Sequence, residues 1–164
     1  SSKSARIALL MDKIEDLFAT SHRQNMFSSF EQNIHSKIQN QLITTTEFCQ
    51  MYKEELKQMF GDSVLMPTEY DWEWATIPHI FEYPFYVYAY NFGNLLVMAL
   101  YEIYKEGKEG FNRSYKDILS AGSSKSPLEI MNDAGIDISE ASFWKKSMSS
   151  IEGLVNQLEM LIND

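Results

Sequence analysis

Apolar positions recur with a helical period along nearly the whole chain, and no stretch keeps the two-residue alternation of a half-buried strand. Ile7, Leu10, Met11, Ile14, Leu17 and Phe18 follow the i, i+3, i+4 spacing that lines one helix face. A second set runs through Met26, Phe27, Phe30, Ile34 and Ile38. Together they predict one long helix, or two with a break near Thr20-Ser21. Thr44-Thr45-Thr46-Glu47 is a capping-box sequence that opens the next helix, and Gly61 stops it by accepting positive φ past the last turn. Residues 62–82 hold Pro67 and Pro78 with weak periodicity, the mark of a structured loop with short helical turns. Pro84 suits the first position of a long helix, where its missing N–H costs nothing, and the pattern carries that helix to about Lys105. A helix over 108–120 follows, then a break at Ala121-Gly122-Ser123-Ser124. Ser126-Pro127-Leu128-Glu129 opens a short helix closed by Gly135. The last helix spans about Ser139 to Ile162, with Phe143, Met148, Ile151, Leu154, Val155, Leu158 and Leu161 as its core side. The expectation is an all-α fold, with residues 1–164 as a single helical unit.

Composition narrows the function classes. Hydrophobic residues make up 45% and charged residues 23% of the chain, a globular mix. The net charge of −9 excludes nucleic acid as a partner, because phosphate binding needs clustered Lys and Arg. The apolar stretch Phe85 to Tyr104 is interrupted by Asn91, Gly93, Asn94 and Glu102, so it reads as a buried helix and no membrane partner is expected. A single cysteine, Cys49, rules out an internal disulfide and favours a reducing, cytoplasmic location. The N-terminus shows no basic stretch followed by an apolar core, hence no signal peptide. Cys49 lies inside a helical pattern and reads as a small buried apolar residue.

The unusual segment is Pro78-His79-Ile80-Phe81-Glu82-Tyr83-Pro84-Phe85-Tyr86-Val87-Tyr88-Ala89-Tyr90. Four phenols are more than a core favours, since each buried hydroxyl needs a partner or costs about 1–3 kcal/mol. On a helix that starts at Pro84, Tyr83, Tyr86 and Tyr90 share one face, and Tyr88 points elsewhere, toward a core with Phe85, Phe92 and Leu95. His79, one short turn earlier, can reach the same face. A His with two or three phenols at a helix start suits binding of a carbonyl oxygen or an oxyanion. Plain aromatic packing fits the same spacing, and both readings stay open on the residues alone.

This segment resembles the C-terminal part of the oligoendopeptidase F family, thimet-oligopeptidase-like zinc metallopeptidases, in which a His, a Tyr and a proline-aromatic-Tyr-Val-Tyr run open a long helix. Arg23-Gln24-Asn25-Met26-Phe27 with Phe30-Glu31 and Ile34-His35 looks like the family's helix after the active-site helices. Ala121-Gly122-Ser123-Ser124-Lys125-Ser126-Pro127 with Ala134-Gly135-Ile136-Asp137 looks like its Gly-Ser loop and following short helix. The resemblance implies the multi-helix C-terminal part of a zincin-type catalytic domain, whose intact enzyme hydrolyses short peptides. It implies oligopeptide as substrate, and as partner the N-terminal part of the same polypeptide, missing here. Carried over, it makes Tyr90 the catalytic oxyanion donor and His79, Tyr83 and Tyr86 substrate-binding, with Tyr86 the weaker on face geometry. The alternative is a non-catalytic helical module that binds peptides or proteins.

The zinc motif of such enzymes is His-Glu-x-x-His, with both ligands on one helix face. The three histidines, His22, His35 and His79, belong to no such motif. Glu31 and His35 are spaced i, i+4, and Glu15 or Asp16 could lie near His22, but each is at most half a site. No metal site and no peptidase activity are expected of this chain alone, while the resemblance implies zinc in the intact enzyme. Arg23 is expected to anchor a carboxylate of the fold. Asp71 and Glu73 could favour basic peptides or simply form an exposed loop face. Gly122 to Ser124 fits either a loop closing on substrate or a plain interhelical turn.

Overall fold

In the computed structural model, which describes residues 2–163, the helical periodicity becomes eight α-helices and two non-α turns of helix, with no strand among the described residues. The elements are α1 (Lys3–Leu17), a π-helical segment (Phe18–Arg23), α2 (Gln24–Ile38), α3 (Thr45–Phe60), a 3₁₀ segment (Thr68–Thr76), α4 (Pro78–Glu82), α5 (Tyr88–Lys105), α6 (Phe111–Ala121), α7 (Pro127–Asp133) and α8 (Ala141–Asn163). Contacts gather them into two compact units: Asp16–Phe92, and the described residues of Ser1–Glu15 with Gly93–Asp164.

The first two apolar sets lie on one continuous helix. The residues flanking the π segment keep ordinary helical dihedrals, so the chain does not break at Thr20-Ser21. The buried positions explain the π turn: Leu17 and Ser21 are four apart, but the next, Met26, is five further on. One extra residue per turn realigns the stripe, and Met26, Phe27, Phe30 and Ile34 then continue it.

In the unit Asp16–Phe92, α2 and α3 pack around Phe30 and Tyr52, both with no exposed surface, together with Met26, Phe27, Ile34, Leu56 and Val87. Tyr52 stands edge-on to Phe30 with ring centroids 5.1 Å apart and stacks on Phe27. Each such side chain contributes about 1.5–3 kcal/mol by leaving water. Cys49 is buried in α3, as its pattern predicts. Residues 62–82 form the expected loop with helical turns, now resolved as the 3₁₀ segment and α4.

In the other unit, Ala99, Leu100 and Ile103 of α5 pack with Phe111, Met131, Ile136 and Phe143. The core side of α8 departs from its expected residues at Met148, while Phe143 is buried and Ile151, Leu154, Val155, Leu158 and Leu161 are half-buried. Met148 is 47% exposed, whereas Ser147, four residues after buried Phe143, is fully buried and donates its hydroxyl to the Leu95 carbonyl at 2.6 Å. A serine can occupy the buried line because a backbone acceptor waits for it.

Both capping boxes form. The Thr44 hydroxyl accepts the Glu47 N–H, and the Thr44 N–H donates to Glu47 at 2.8 Å. Ser126 and Glu129 repeat the arrangement ahead of Pro127. The Thr44 backbone hydrogen bond, then its hydroxyl, holds the Glu47 carboxyl below its ordinary pKa, and the Ser126 hydroxyl, then its backbone, does so for Glu129. A depressed folded pKa gives stability that is present above the unfolded value and is lost as pH falls through the folded one. Glu47→Ala and Glu129→Ala should therefore lower the melting temperature near neutral pH. Thermal melts on descending pH should show that difference shrinking below the usual glutamate range.

Candidate functional site

The helix expected from Pro84 begins four residues later, at Tyr88. Proline disfavours the α region for the residue before it, and Tyr83 accordingly leaves α4 with φ −136° and ψ 66°. Phe85 then takes a φ of 62°, left-handed for a bulky residue. Residues 83–87 thus form a tight turn between α4 and α5, closed by the Tyr86 N–H donating to the Tyr83 carbonyl at 3.2 Å. Val87, 2% exposed, seats the turn in the core.

The turn changes which phenols meet. His79 on α4 reaches Tyr90 in the first turn of α5, with Nε2 and the phenol oxygen 3.0 Å apart. The Tyr86 ring lies parallel to the imidazole at 6.4 Å and stands edge-on to Tyr90 at 5.4 Å, so the three rings form one cluster. The cluster is not sealed in a core: Tyr86 is 49% and Tyr90 38% exposed. Tyr83 does not join them. It is 62% exposed and makes no side-chain hydrogen bond or ring contact with the other three. The shared helix face of Tyr83, Tyr86 and Tyr90 is therefore not formed, because Tyr83 and Tyr86 lie outside α5. Tyr88 and Phe85 are exposed rather than packed in a core.

The same architecture occurs in known proteins. The model of Peptidase family M3 matches residues 1–150. The chain belongs to this family. It is 35% identical over 159 residues to Oligopeptidase PepF of Bacillus subtilis (strain 168), covering 96% of this chain and 23% of that protein. It is 33% identical to the chromosomal oligoendopeptidase F of Lactococcus lactis subsp. cremoris, covering 96% of this chain and 26% of the relative. The crystal structure of oligoendopeptidase-F from Enterococcus faecium superposes with a TM-score of 0.91 at 28% identity, over 99% of this chain and 31% of that one. The chain thus spans about a quarter of the length of the curated relatives it matches.

The other candidate groups of this M3 chain serve its fold. Arg23, at the end of the π segment, pairs with Glu73 of the 3₁₀ segment and lies over the Phe27 ring. Glu73 also accepts the Tyr52 hydroxyl at 2.7 Å, and Asp71 pairs with Lys53 at 3.0 Å. Neither acid forms an unpaired loop face. Among the described residues no three of His, Cys, Asp and Glu gather where they could hold a metal ion. The spaced pair Glu31 and His35 faces Phe85 instead: Glu31 accepts its N–H, and the His35 ring lies 4.7 Å from its ring. The residues present therefore do not fit zinc. An apolar cavity of about 300 Å³ between α5 and α6, lined by Val97, Leu100, Tyr101, Tyr104, Phe111 and Tyr115, lacks the His79 chemistry altogether.

Glu31 and Glu73 were not recognisable as fold anchors from spacing. Glu31 carried one signal: a charged residue within the apolar stripe Phe27, Phe30, Ile34 must find a buried partner. Tyr52 carried none, because its acceptor is 21 residues away. Burial, then the Glu73 hydrogen bond, raises the Tyr52 phenol well above its ordinary pKa. A raised folded pKa keeps its stability below the unfolded value, about 10, and loses it as pH rises beyond. Tyr52→Phe should cost about 1.5–3 kcal/mol in urea unfolding at neutral pH, the worth of a hydrogen bond to a charged group. The gap between variant and parent should narrow above pH ~10, where only the parent has this phenol to ionise.

Proposed function

We propose that this chain supplies one wall of the substrate cleft of a zinc metalloendopeptidase that hydrolyses short peptides. The carrying observation is the His79–Tyr90 pair at 3.0 Å, flanked by Tyr86, on residues that remain partly exposed to solvent. Aromatic packing alone would bury these hydroxyls or leave the imidazole unengaged. Here a ring nitrogen is spent on orienting one exposed phenol.

Tyr90 is the oxyanion donor. For its O–H to point at a substrate carbonyl, the phenol oxygen must act as acceptor toward His79, with the Nε2–H donating. That bond fixes the phenol in place and polarises its O–H before negative charge develops on the carbonyl oxygen, so little reorganisation is needed at the moment of reaction. Tyr86 holds the imidazole plane by stacking and offers a second hydroxyl to the peptide. Tyr83, whose side chain has no partner in the cluster, offers a third from the end of α4. Zinc belongs to ligands outside this chain, and none of these roles passes through it. The lone buried Cys49 fits a cytoplasmic location, and among the described residues no helix is long and apolar enough to cross a membrane.

In the full-length protein, Tyr90→Phe should lower kcat by about 10–1000-fold, the usual worth of one oxyanion donor, with little change in KM or in metal content. Steady-state kinetics on a short quenched-fluorescence peptide would measure it. An unchanged kcat would remove Tyr90 from the mechanism.

A further inference from the structure

The geometry points to Glu31 as a positioning residue for the His79–Tyr86–Tyr90 cluster, acting through the turn at Phe85; this rests on the reading of that cluster as a substrate site. Glu31 sits on the buried stripe of α2 between Phe30 and Ile34 and is only 2% exposed. A carboxyl group removed from water needs compensating hydrogen bonds. The bond Glu31 makes goes to a distant backbone: Oε1 accepts the Phe85 N–H at 2.7 Å across 54 residues of sequence.

The recipient is the one residue whose conformation most needs outside support. Phe85 is the sole non-glycine residue at positive φ among the described residues. Such conformations persist where the surroundings over-determine them. Two side chains one turn apart on α2 do this: Glu31 takes the Phe85 N–H and His35 packs on its ring at 4.7 Å. Pro84 has no N–H to offer, so Phe85 is the first donor after the break. If Phe85 relaxed to negative φ, the chain direction into Tyr86 and into α5 would change, and the His79–Tyr90 distance with it. The hydrogen bond of Glu31 goes to the Phe85 backbone and not to a cluster ring, so its influence passes through the backbone. Its role is therefore separate from a metal half-site.

The test uses the full-length protein, with kcat and KM on a short quenched-fluorescence peptide, melting temperature, and the ¹⁵N shift of His79 Nε2 under selective histidine labelling. Glu31→Ala should lower kcat by about 10–100-fold, as expected when a reacting group is misplaced by about an ångström. The His79 signal should move toward that of Tyr90→Phe. Glu31→Gln keeps an acceptor oxygen and should stay within about threefold of the parent. Adding Phe85→Gly to Glu31→Ala should recover part of the loss, since glycine holds positive φ without help. A lowered melting temperature with kcat and the His79 signal unchanged would overturn the proposal, as would a Gln variant as impaired as Ala. Should the Ala variant not fold, the Gln variant and the double variant decide by the same measures. If Tyr90→Phe proves silent, the substrate-site reading falls, and the response of the His79 signal to Glu31 substitution still decides the positioning.

Discussion

A phenol with no exposed surface must find an acceptor, and the unit that carries the candidate site is arranged around the one Tyr52 finds. Its ring fills the gap between Phe27 and Phe30, and its hydroxyl leads out of the core to Glu73. Glu73 is held in turn by Arg23, so one hydrogen-bonded knot joins α3, the 3₁₀ segment and the π segment. None of the 3₁₀ segment's residues is buried, so this knot holds it together with the Asp71–Lys53 pair and the packing of Trp74 on Phe48. With it anchored, α4 starts at a defined place, and so does His79. The imidazole's position thus descends from a buried tyrosine that never approaches it.

The second constraint is the break at Pro84. A straight helix from there would carry three tyrosines on one face and leave His79 to find them. The turn instead bends the chain so that α4 and α5 converge, and a short element brings its imidazole to the first turn of a long one. Left-handed Phe85 is the cost of that bend, and α2 supports it from below with Glu31 and His35. The relation between His79, Tyr86 and Tyr90 is therefore fixed by α4, the turn and α5 together with α2, which is distant in sequence. Such rigidity fits the oxyanion-donor role proposed for Tyr90, since a preorganised group need not rearrange as charge develops.

Much of the architecture was legible in the residues because it is governed locally. Helical periodicity, the boxes at Thr44-Glu47 and Ser126-Glu129, Pro127 and the stop at Gly61 depend on neighbours within one turn, and all stand where the sequence puts them. The family was legible for a related reason: the motifs from Arg23 to Asp137 are read from residue types and their order, without reference to packing. Membership in the cluster was legible in part. His79, Tyr86 and Tyr90 do meet, but Tyr86 does so from the turn before α5 rather than from the helix, and Tyr83 stays apart.

The sequence by itself therefore determined an all-helical chain of this peptidase family and the residues that make up the His79–Tyr86–Tyr90 cluster. Only the tertiary structure decided where α5 begins, because a proline is compatible with a helix start and with a turn before one. A distant acceptor for the Phe85 N–H and a core seat for Val87 favour the turn. Only the tertiary structure decided, likewise, that Glu31 and Glu73 are anchors, and which carboxylate Arg23 holds. The partner that satisfies a buried charge lies tens of residues away, and no local period reports it.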